Sequence, residues 1–160
     1  MKNTVSEEKT KYNLLQLENK VCIITGAASL RSIGYGTAEL FAAHGAKLVI
    51  LDVAMNDQIA HDLINHIETQ IDKKTEIICF KCDIRNTAEC EQVIEKAVSY
   101  FGTIDCLVNC AGIVKSEGML SITEADYDLI MDVNLKGTFN ICKSVLKVFA
   151  EKQSGVIVNL

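Results

Sequence analysis

Absences bound this sequence before any motif does. Proline and tryptophan are missing from all 160 residues, although proline averages ~5% of ordinary chains. No apolar run reaches the ~18 residues that a membrane-crossing helix needs. Basic residues form no cluster: 16 Lys and Arg stand against 21 Asp and Glu, a net charge of −5. An acidic chain without a basic stripe argues against nucleic acid and anionic membrane as partners. Met1 to Thr10 are polar and mixed in charge, with no apolar segment of a secretory leader. A cytoplasmic location is the expectation.

Cysteine is the one excess, with seven residues. Cys22, Cys79, Cys106 and Cys110 sit inside apolar runs, where a thiol behaves as a small hydrophobe. Cys79 and Cys82 have the C-x-x-C spacing of zinc and redox sites. Ile77 to Phe80 reads as a strand, however, and residues three apart on a strand face opposite sides. With no second such pair, no metal site is expected. His44, His61 and His66 fall on helical segments without ligand spacing and are read as surface residues.

Hydrophobic residues make up 49% and charged residues 23%, the composition of a globular domain. Residues 1–13 are expected to form a flexible tail, and residues 14–160 a single domain. Glu18 and Asn19 make a turn in which Asn19 can take a positive φ. The short continuous runs Val21–Ile24, Lys47–Leu51, Glu76–Phe80, Ile104–Val108 and Val156–Val158 fit strands buried on both faces. Between them lie amphipathic helices. The first runs from about Ile33 to His44 and closes at Gly45. The second is capped by Asn56 and runs to about Asp72, and the third is capped by Thr87 and ends at Gly102. Thr123 to about Ala150 is helical, with an interruption near Asn134–Gly137. Strands alternating with helices predict an α/β fold with a doubly wound parallel sheet in the order 3-2-1-4-5.

Ligands of such a sheet bind beyond the C-terminal ends of the strands, where the strand order reverses. Small or polar residues stand at each of these ends. After strand 1, Gly26 allows a tight turn, and Ala27, Ala28 and Ser29 let backbone approach a pyrophosphate. The N–H groups that open the next helix can bind that anion, and Gly34 permits close helix–strand packing. After strand 2, Asp52 stands 18 residues beyond Gly34, where a carboxylate accepts from a ribose 2′-hydroxyl and repels a 2′-phosphate. After strand 3, Asp83 falls where an adenine amino group could be recognised. After strand 4 comes the small, flexible run Asn109-Cys110-Ala111-Gly112. Asn134, followed two residues on by Lys136-Gly137, sits awkwardly within a helix, as a kinked functional position would.

These residues carry a resemblance over Leu17 to Leu160. Thr25-Gly26 through Ile33-Gly34, Asp83-Ile84, Asn109-Cys110-Ala111-Gly112, Val133-Asn134-Leu135-Lys136-Gly137-Thr138-Phe139 and Gly155-Val156-Ile157-Val158-Asn159 are similar to the motifs of the short-chain dehydrogenase/reductase family, in its N-terminal part. The resemblance implies a Rossmann-like fold and reversible hydride transfer between a nicotinamide dinucleotide and an alcohol or ketone. It implies that Gly26, Ser32, Ile33 and Gly34 line the pyrophosphate and that Asp52 holds the adenosine ribose. Asp83 and Ile84 then frame the adenine, and Asn109, Ala111 and Gly112 support the nicotinamide half. Asn134 corresponds to the asparagine of the catalytic tetrad, holding a helix kink and a water of the proton relay. A homo-oligomer formed through helices is a further implication.

The sequence departs from the family pattern twice. Leu30-Arg31-Ser32 lengthens the glycine loop by two residues, and Arg31 to Gly36 resembles the enoyl-acyl-carrier-protein reductases, a divergent branch. Arg31 favours a 2′-phosphate and Asp52 disfavours one. Asp52 is weighted more, so NAD is expected over NADP. The family also needs a Ser and a Tyr-x-x-x-Lys pair. Tyr12, Tyr35, Tyr100 and Tyr127 are followed four residues on by Gln16, Glu39, Ile104 and Met131. The sheet is therefore expected to be incomplete, lacking its C-terminal strands, and the chain a truncated oxidoreductase, inactive alone. The alternatives are a non-catalytic dinucleotide-binding module and a module that heterodimerises with a complete relative. The apolar Val156–Val158 edge predicts poor solubility for the isolated chain.

Overall fold

The computed structural model describes residues 17–160. The tail expected over residues 1–13, and most of the lead-in after it, lie outside the described residues. Asn19 turns the chain into the first strand with φ 62°. That strand, β1 (Val21–Thr25), is buried at all five positions. It lies between β2 (Lys47–Asp52) and β4 (Cys106–Asn109), both parallel to it. Ile23 stands opposite Val49 on one side and Leu107 on the other. β3 (Ile77–Lys81) extends the sheet beyond β2, and β5 (Val156–Asn159) extends it beyond β4. The order is β3-β2-β1-β4-β5, the predicted doubly wound sheet.

Why the strands read as unbroken apolar runs follows from the two cores. Successive strand residues point to opposite faces, and both faces are covered along β1, β2 and β4. β3 is only half-buried, and β5, expected to be buried on both faces, is exposed at Val156 and Val158. On one face Cys22, Ile24, Leu48 and Ile50 pack against α1 (Ile33–Ala43) and α2 (Asp57–Ile71). α1 approaches closely because its buried positions include Gly34, Ala38 and Ala42. On the other face Ile23, Val49, Leu51 and Leu107 pack against α3 (Thr87–Phe101) and α5 (Thr138–Lys152). Cys79 belongs to the first core and Cys82 to the second. The two thiols thus lie in different cores.

Three local readings change. The N-cap of α3 is Asn86, whose side chain accepts from the N–H groups of Ala88 and Glu89. Thr87, the expected cap, is the first helical residue. Asn is as good a cap as Thr or better, and Asp83-Ile84-Arg85 turns one residue earlier than the spacing suggested. β4 begins at Cys106, two residues later than expected, and just before it the Asp105 carboxylate accepts from the Val21 N–H at 2.9 Å. His66 is not simply a surface residue, since its Nδ1 lies 2.5 Å from the hydroxyl of the buried Tyr35. The expected helix interruption is a seven-residue π-helical segment, Met131–Gly137, between α4 (Glu124–Ile130) and α5. Such segments are rare and recur at functional positions.

Candidate functional site

The C-terminal ends of β1, β2, β3 and β4 open into one cleft of about 290 Å³. Gly26, Asp52, Asp83, Ile84, Ala111 and Gly112 all line it, so one concavity gathers six of the sequence-predicted residues from four separate loops. Val133 of the π segment closes its far side. Ser32, Ile33 and Gly34 lie just beyond, at the start of α1. Asn109 lies beneath it, and Asn134 lies behind Gly112.

The turn after β1 requires glycine at two places. Gly26 has φ +72°, and a Cβ there would lie 2.6 Å from Ala111 Cα. A Cβ on Gly34 would lie 2.5 Å from the Gly26 carbonyl oxygen. The first glycine lets the β1 and β4 loops touch, and the second lets α1 start directly against that turn. Ser32 caps α1 by accepting from Tyr35 N–H at 3.0 Å, while its own hydroxyl donates to Ser29 O at 2.8 Å. The N–H groups of Ile33 and Gly34 have no intrahelical carbonyl to meet. The Ile33 side chain is 71% exposed, so this residue can contribute to the site through its backbone. α1 has no acidic residue in its first turn, whereas α2, α3 and α4 each have at least one. The positive end of its dipole is left free for an external anion.

Asp52 is fixed by two backbone donors, one on each oxygen. Ala28 N–H donates to Oδ2 at 3.0 Å and Ala54 N–H to Oδ1 at 2.9 Å. The carboxylate therefore stitches the β1 loop to the end of β2, and each oxygen keeps a lone pair for a hydroxyl donor. Asp83 is gripped by Arg85, whose Nε lies 3.0 Å from both carboxylate oxygens and whose Nη2 lies 2.6 Å from Oδ2. That guanidinium holds the Asp83 carboxyl below its ordinary range. The carboxylate expected at an adenine amino group is thus anionic, oriented and partly engaged.

Asn109 is 3% exposed. Its Nδ2 donates to Asn159 Oδ1 at 2.8 Å and contacts Cys142 Sγ at 3.2 Å. Its Oδ1 is buried without a partner among the described residues. Asn109 and Asn159 are register partners of β4 and β5, so this amide pair ties the two strand ends together. Asn134 makes a two-point contact with one residue: Ile113 N–H donates to its Oδ1 and its Nδ2 donates to Ile113 O, both at 2.9 Å. The π segment carries this side chain to the loop after β4. A Cβ on Gly112 would come within 3.4 Å of Asn134 Oδ1.

Thr25 and Asn140 carry the site without having been singled out as site residues in the sequence. Thr25 is fully buried, and its hydroxyl accepts from Cys110 N–H at 3.1 Å and Ala111 N–H at 3.0 Å. Its signal was available: a hydroxyl residue closing an otherwise apolar strand, just before the turning glycine. Asn140 gave no such signal.

The geometry suits a dinucleotide. Two positions demand glycine, a helix start faces the turn, and an oriented carboxylate stands at each of the next two strand ends. Among the described residues no group of three or more His, Cys, Asp or Glu could hold a metal ion. No helix there is long and apolar enough to cross a membrane.

Comparison with known proteins gives the same picture. Residues 26–160 match a family model described as enoyl-(acyl carrier protein) reductase. The chain is 35% identical over 146 residues to the 3-oxoacyl-[acyl-carrier-protein] reductase FabG of Thermotoga maritima, covering 91% of this chain and 56% of that protein. It is 34% identical over 145 residues to the uncharacterized short-chain type dehydrogenase/reductase y4mP of Sinorhizobium fredii, covering 88% of this chain and 54% of that one. Among solved structures, levodione reductase superposes with a TM-score of 0.81 at 31% identity, over 89% of this chain and 54% of its own. The chain thus spans about half the length of the relatives it matches. These relatives bear different reaction names, so the description of the family model names a group and not one reaction.

Proposed function

The chain belongs to the short-chain dehydrogenase/reductase family, and from that premise we propose that it is the cofactor-holding part of an NAD-dependent oxidoreductase acting on an alcohol or ketone. The observation that supports this reading is the gathering of Gly26, Asp52, Asp83, Ile84, Ala111 and Gly112 around one cleft at the strand ends. The family binds a nicotinamide dinucleotide, which when bound gives or accepts a hydride. The backbone of Gly26 and the opening turn of α1 at Ser32, Ile33 and Gly34 would hold the pyrophosphate. Asp52 would accept from the adenosine ribose, and Asp83 and Ile84 would flank the adenine. Ala111 and Gly112 would lie under the nicotinamide half, with Asn109 fixing the strand end beneath them. Asn134 would hold the helix against Ile113 and support a water of the proton relay.

These 160 residues contain no Tyr-x-x-x-Lys pair. The group that would exchange a proton with the substrate oxygen is thus absent from them, and this chain by itself is expected to bind without turnover. NAD over NADP rests on Asp52, whose charge opposes a 2′-phosphate. The test compares NADH and NADPH affinities for the chain and for Asp52→Asn, which keeps the shape and removes the charge. The chain should prefer NADH, and the variant should lose about tenfold of that preference through the vanished repulsion. Tighter NADPH binding by the unaltered chain would sink the NAD assignment.

A further inference from the structure

Asn140 lies in the second half of the kinked helix and is 4% exposed. A buried amide in a helix is costly unless its hydrogen bonds are made. Both hydrogens of its Nδ2 are used, donating to Ile84 O at 3.0 Å and to Arg85 O at 3.1 Å. Those two carbonyls belong to the loop between β3 and α3, which carries Asp83 and Ile84 on the cleft wall. The same helix meets this loop once more at Gly137, where a Cβ would lie 2.6 Å from Ile84 Cγ1. Ser144 braces the position from the next turn, its hydroxyl donating to Asn140 O at 3.0 Å.

The other end of the rod is Asn134, which holds Ile113 in the loop after β4 by a two-point contact. Six residues, roughly 9 Å of helical rise, separate the two asparagines. One continuous helical element therefore grips the loop at each end of the cleft. An apolar side chain at position 140 would fill the space equally well, but it would leave two carbonyl oxygens without their donor.

We propose that Asn140 is a positioning residue for the adenine end of the cleft, acting through the backbone of Ile84 and Arg85. The proposal rests on the dinucleotide reading above. It assigns the two ends of the cleft to two separate asparagines of one helix, so that loss of Asn140 loosens one end and spares the other.

The test uses the 160-residue chain and Asn140→Leu, which keeps a branched side chain and removes both donors. Binding is read with AMP, which reports the adenine end, and with reduced nicotinamide mononucleotide, which reports the opposite end. AMP should weaken about tenfold, the net worth of roughly one well-made hydrogen bond, while the mononucleotide changes less than about twofold. AMP affinity unchanged in the variant would overturn the proposal. So would an equal loss for both ligands, which is what general loosening of the fold produces. Should Asn140→Leu not fold, Asn140→Ser keeps one donor and is judged by the same pair and the same criteria. Failure of the dinucleotide reading looks different: the unaltered chain would then bind neither AMP nor the mononucleotide, and both proposals would fall together.

Discussion

At the scale of single residues, the cleft is held by side chains that tie one loop to another. Thr25 is the clearest case. Its hydroxyl accepts two backbone N–H groups from the loop after β4 and is fully buried. Thr25→Val preserves shape and strands both donors, so it should destabilise the fold by about 1–3 kcal/mol. Urea denaturation measures this directly, and a loss below about half a kcal/mol would contradict the role given to the hydroxyl. Asp52 plays a comparable part from the neighbouring strand, with Ala28 and Ala54 as its donors. Gly26 and Gly34 were legible in the sequence because only a residue without Cβ serves where backbones meet. The grip of Arg85 on Asp83 was not legible. Nothing in the pair's spacing tells whether a guanidinium turns back to its neighbour or out to water.

At the scale of elements, boundaries depend on a few polar atoms. The start of α3 shows this: Thr87 and Asn86 are both good caps by type, and the backbone chose Asn86, whose Oδ1 meets two N–H groups. Asn86→Ala should therefore lower stability by about 1 kcal/mol, and Thr87→Ala by clearly less, as read from paired thermal melts. The reverse order would restore the cap assigned from the sequence. β1, β2 and β4 were legible because parallel strands covered on both faces leave continuous apolar runs. The kinked helix was legible only as an irregularity. Asn134 and Gly137 marked the place, but not that the segment is π-helical nor that it meets Ile113 and Ile84, which are distant in sequence. Asn140 was invisible for the same reason, since its partners are 55 and 56 residues distant.

At the scale of the whole molecule, the order β3-β2-β1-β4-β5 places the strand reversal beside β1, and the cleft opens there. The four strand-end motifs each looked modest in the sequence, and the fold makes them neighbours. β5 is the outermost strand beside β4, and its Val156 and Val158 are 58% and 40% exposed, the apolar edge that the sequence suggested. The proposed role of this arrangement is to hold a nicotinamide dinucleotide. Fluorescence titration of the 160-residue chain with NADH tests it most directly. Binding should saturate at one site per chain, with a Kd on the order of ten micromolar, and AMP should displace the dinucleotide competitively. A folded chain that leaves NADH free at millimolar concentration would contradict it.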